Sequence, residues 1–159
     1  MVEIKKLFQQ NKISMLNDLT IERYINFLGN SYKENLEHSF KVINDFPRWS
    51  IISGYYAMHD ATKLLIAKKL RIKIDMEVHA TTIAVLKEFL KDKVAINLIE
   101  KGYKEFLTLA SELEEAKKER VKVQYYTGTA FLKEEYRKRA KEFNEKVVKS
   151  YLKKIEVIL

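Results

Sequence analysis

A single proline and four glycines are spread through 159 residues. Proline and glycine are the residues that most strongly oppose a continuing helix, and clusters of them mark the turns that short strands require. A chain with so few breakers is confined to long helices. Hydrophobic residues make up 47% of it, enough for a true core. A chain of this length buries about 70% of its unfolded surface in one domain.

The spacing of apolar residues places the helices. Residues 1–16 read as an N-terminal extension holding a short helix on Ile4, Leu7 and Phe8. Asn17, Asp18 and Thr20 are capping residues for a long helix with the stripe Ile21, Ile25, Leu28, Tyr32, Leu36, Phe40 and Ile43. Gly29 interrupts that helix at about 1 kcal/mol relative to alanine, and it must stop before Pro47. A second long helix over 48–70 is apolar almost all round, the pattern of a bundle's central helix or one buried against a partner. Further helices are predicted over 78–90 (Ile83, Leu86, Leu90 inward) and 94–118 (Ile96, Ile99, Tyr103, Phe106, Leu109, Leu113 inward). A last one runs after Thr127–Gly128–Thr129 along Leu132, Tyr136, Ala140, Phe143, Val147, Tyr151 and Ile155. No segment alternates with period two long enough to read as a strand. The expectation is an all-α, single-domain antiparallel bundle of about five helices over residues 1–159.

Composition narrows the chemistry. With no cysteine there is no disulfide framework and no thiolate metal site. No apolar run approaches the ~20 residues of a membrane span, and residues 1–14 lack a leader's apolar stretch. A soluble, cytoplasmic protein that does not use the membrane is expected. Lys and Arg number 30 against 22 Asp and Glu. KLLIAKKLRIKI (63–74) holds five bases and no acid, and RKRAKEFNEKVVKSYLKK (137–154) eight bases against two acids. Such local excess suits a polyanion, RNA above all, and it suits equally a solubilising surface.

Enzyme signatures are sparse: no phosphate-binding glycine loop, no H-E-x-x-H and no EF-hand loop. His38, His59 and His79 fall on three different helices with no i, i+4 pair, which argues against a metal site, and no cofactor is expected.

The sharpest signal is SGYYAMHDATKLLIAKKL (53–70), followed by a histidine, His79, expected to be exposed at the next helix start. Taken singly, Tyr55, Tyr56 and Met58 are core residues. Taken together, this tyrosine-rich helix with its Leu-Leu run, short loop and histidine resembles the HEPN (higher eukaryotes and prokaryotes nucleotide-binding) family. So does the tail: an arginine near a helix end, aromatics a few positions on, then a long Lys- and Glu-rich helix. The resemblance covers about residues 20–158 in the order of elements.

It implies a helical bundle that dimerises around a cleft. In the family's catalytic members an arginine and, four to six residues later, a histidine form a metal-independent ribonuclease site; others pair with a nucleotidyltransferase in toxin–antitoxin systems, or only bind. Arg120 matches the arginine, but VKVQ and then Tyr125 follow it and the histidine is missing. Tyrosine, with a pKa near 10, is a poor base at neutral pH where histidine is a good one. The resemblance therefore implies an RNA- or nucleotide-binding homodimer with a degenerate catalytic motif. Arg120, Lys122 and the Arg137–Lys138–Arg139 cluster would meet phosphates while Tyr125 and Tyr126 stack on bases. Two alternatives stand beside it. One is a ribonuclease toxin paired with a nucleotidyltransferase, using Arg120 with His59 or His79 as the missing base. The other is a non-enzymatic interaction bundle docking through the apolar helix from Trp49 to Ile66.

Overall fold

The computed structural model describes the backbone of residues 2–120 and 129–159 and the side chains of 3–111 and 133–159. It is an all-α bundle. Helices α1 (Val2–Gln9), α2 (Ile21–Lys41), α3 (Pro47–Leu70), α4 (Val78–Phe89), α5 (Lys93–Arg120), α6 (Thr129–Phe143) and α7 (Lys149–Ile158) account for most of the described chain. A π-helical turn, Asn144–Val148, joins α6 to α7.

Pro47 occupies the first turn of α3, where its missing N–H costs no hydrogen bond. From there α3 runs through the centre, touching α2, α4, α5, α6 and α7. Ile51, Tyr55, Met58, Leu65 and Ile66 are fully buried. Its all-round apolarity is therefore satisfied within the chain and needs no partner to cover it. The exceptions lie at its start, where Trp49 is 60% exposed and Phe46 just before it 61%.

One departure from the helical expectation is a two-stranded antiparallel ribbon, β1 (Ile13–Met15) with β2 (Ile72–Ile74), in register Ile13 opposite Ile74 and Met15 opposite Ile72. Three residues per strand are too few for a period-two signal, although Ile72 and Ile74 do point inward and Lys73 outward. Asn11, Arg71 and Glu77, all with positive φ, bracket the strands and reverse the chain between helix and ribbon. Arg71 ends α3 in left-handed geometry with its N–H donated to the Ala67 carbonyl, and its guanidinium pairs with Asp18. The ribbon, α1 and α4 enclose a second small core of Leu7, Ile13, Ile66, Ile72, Ile74 and Val85.

The C-terminal helix, expected unbroken, carries the π turn where it crosses α3. There Gly54 makes room for the side chains of the π turn: a Cβ at that position would lie 2.5 Å from Asn144 Oδ1 and 3.0 Å from Val148 Cγ2. Asn144 donates to the Ser39 carbonyl (3.2 Å) and to Ser50 Oγ (2.9 Å), and Ser50 donates to the same carbonyl. Buried polar bonds thus fix α2, α3 and the C-terminal helix against one another.

Candidate functional site

His59 lies on α3 and His79 on the first turn of α4. The β2 reversal folds α4 back along α3 and sets the two imidazoles 4.8 Å apart, centroid to centroid. Sequence spacing gave no sign of this convergence, because the separation of 20 residues is spanned by a tertiary turn. Tyr55, Tyr103 and Phe106 pack around the pair, with Tyr55 stacked 5.0 Å from Phe106 and Tyr103 stacked 5.6 Å from His79.

Burial, reinforced by Tyr103 and Tyr56, holds the Tyr55 phenol far above its ordinary pKa, so it remains protonated. Its hydroxyl lies 2.8 Å from His79 Nδ1, a hydrogen bond that ties α3 to α4. The His79 pKa is lowered, first by burial and then by His59 and Lys63, with Asp60 opposing. His79 is half-buried rather than exposed, a correction that follows from the same packing.

Asp60 anchors the other end. Ser31 donates to its Oδ2 at 2.7 Å and Asn35 at 3.3 Å, while Lys63 Nζ lies 3.8 Å from Oδ1. His59 Nδ1 is 3.7 Å from Oδ1, too far for a hydrogen bond. Burial alone would raise this carboxyl's pKa, yet His59, Ser31 and Lys63 more than offset it and the group stays below its usual value. His59 is only 3% exposed and its Nε2 faces Thr82 Oγ1 at 3.3 Å. A polynucleotide cannot reach it without displacing the rings around it. The two histidines form a buried network, and among the described residues no three ligands are placed to hold a metal.

Beside this network a groove of about 650 Å³ opens along the α2–α3 seam. Asn35, His38, Ser53 and Tyr56 supply its polar lining, and Phe46 and Trp49 stand at its exposed end. His38 Nδ1 and Ser53 Oγ are 2.7 Å apart across the seam. Asn35, shared with Asp60, and Tyr56, whose ring centroid is 5.9 Å from that of His79, connect groove and network.

The basic cluster of α6 adjoins the same end. Arg137 Nε donates to the Asn44 carbonyl (2.7 Å) in the α2–α3 connection and its Nη1 to Glu134 (2.9 Å). The Arg48 guanidinium lies 4.4 Å from the centroid of the Tyr136 ring. Arg139 pairs with Glu105, and Lys138 is exposed among Glu134, Glu135 and Glu142. Two of the three clustered bases are thus already engaged inside the chain. Arg120 closes α5 with its side chain outside the described set, and Lys122, Tyr125 and Tyr126 lie outside the described residues altogether.

The all-round apolarity of the 48–70 helix gives no sign that Trp49 is exposed, and nothing in the sequence pattern singles out Asn35 or Asp60. The i, i+4 pair Ser31 and Asn35 on the face of α2 opposite Asp60 was the only available cue. No protein-family model, no curated protein and no solved structure matches this chain.

Proposed function

We propose that this chain is an RNA- or nucleotide-binding module of HEPN-like build that holds its ligand without cutting it. The observation that carries this reading is the α2–α3 groove, with Trp49 and Phe46 exposed at one end and Asn35, His38 and Tyr56 along it. Flat rings stack on bases of any sequence, amides and hydroxyls bond base edges, and neighbouring cations meet phosphates. Arg48 and the exposed Lys138 of the α6 cluster supply cations near that end, and the formal charge is +8. The missing histidine after Arg120 and the burial of His59 both favour binding over turnover.

Trp49 is the only tryptophan, so the chain reports on its own groove. Titration with a single-stranded oligoribonucleotide in EDTA should quench its emission saturably, and the RNA should run intact on a denaturing gel. Affinity should fall steeply between 50 and 200 mM salt, as phosphate contacts require. Unchanged emission, or binding indifferent to salt, overturns the reading. Fragments that disappear with Arg120→Ala would instead favour the ribonuclease.

A further inference from the structure

Gly29 stands in the middle of α2, where a glycine weakens the helix, and nothing among the described residues repays that weakness. A Cβ built there meets no atom within 4 Å. Where Gly54 is closed in by the side chains of Asn144 and Val148, Gly29 faces open space, and that space is a pocket of about 430 Å³. Asn26, Asn30 and Lys33 from α2 and Lys68 from α3 line it. Neither lysine forms an ion pair among the described residues. One side-chain carboxylate, Glu156, also faces the pocket, where it interacts with the Tyr32 hydroxyl.

Gly29 and His38 are nine residues apart, about two and a half helical turns, so this pocket and the α2–α3 groove lie on opposite flanks of α2.

We propose that this pocket is a second ligand site, one that takes a phosphate group. Two ammonium groups supply the charge, two carboxamides supply directional N–H donors, and the bare Cα of Gly29 leaves the floor low enough for an oxyanion to sit against the helix. Phosphate can arrive as a free phosphorylated small molecule or as the backbone of a polynucleotide, and the chemistry recognised is the same.

Amide NMR of the full chain at low ionic strength distinguishes the sources. Inorganic phosphate in one titration and a single-stranded oligoribonucleotide without terminal phosphates in another should shift amides at 26–33 and at Lys68. Shifts with phosphate alone identify a small phosphorylated ligand, shifts with the oligonucleotide alone a polynucleotide backbone, and shifts with neither overturn the proposal. The decisive variant is Gly29→Ala. Its melting temperature should hold or rise by up to a few degrees, because alanine suits a helix better, while affinity at this pocket drops about tenfold as the methyl fills the floor. Unchanged affinity refutes the site, and so does a lowered melting temperature, which would give Gly29 a structural purpose. Trp49 emission follows the groove separately, so failure of RNA binding there leaves this test intact.

Discussion

Gly54 and Gly102 both sit where helices meet, yet they differ in what a methyl group would strike. At Gly54 it meets Asn144 and Val148 of the π turn, fixed from the far side by buried hydrogen bonds. Gly54→Ala should cost about 1–3 kcal/mol in urea unfolding, the range for overpacking a core. At Gly102 the methyl would meet the Met58 thioether at 3.1 Å, a flexible group that can move aside, so Gly102→Ala should cost clearly less. His79 makes a prediction in pH. Its folded pKa lies below the unfolded value near 6.5, so the unfolded chain binds the extra proton. Stability is then full above about pH 6.5 and declines as pH falls from there toward the folded pKa. His79→Gln, which keeps an acceptor for Tyr55, should flatten that part of the profile measured by urea unfolding from pH 7.5 to 5. An unchanged slope would mean that other groups produce it.

At the scale of elements, the ribbon is the part that periodicity misses, and it places α4. Its reversal carries His79 back to His59 and closes the small core under α1. Ile74→Ala removes a buried side chain at the centre of that corner and should cost about 2–5 kcal/mol. The groove lies along a different seam, so the Trp49 response of the variant to RNA should be preserved while it remains folded. Loss of the response in a folded variant would show that the ribbon also shapes the groove.

For the whole molecule, charge acts through its placement. Arg137 and Arg139 are occupied by Asn44, Glu134 and Glu105, whereas Lys138 is exposed between them. If the groove and this end of α6 bind one RNA, Lys138→Ala should weaken binding to all sequences alike and lower the salt slope by about one. An unchanged slope would place the phosphate contacts elsewhere on the molecule.

The sequence by itself determined the helical class. Scarce breakers and stripes spaced by threes and fours leave little else, and the long helices, the start of α3 at Pro47 and the apolar wrap of α3 follow from local preference and burial. It also showed that no histidine stands in the six residues after Arg120, which local sequence alone displays. The tertiary structure alone decided which polar residues meet. His59 and His79 converge, Asp60 gathers Ser31 and Asn35 from α2, and Trp49 stays exposed at the start of α3. The physical reason is range. Helix formation depends on neighbours within a turn or two, whereas a site is assembled by chain reversals and helix crossings between residues 20 to 100 positions apart, and no local period records these.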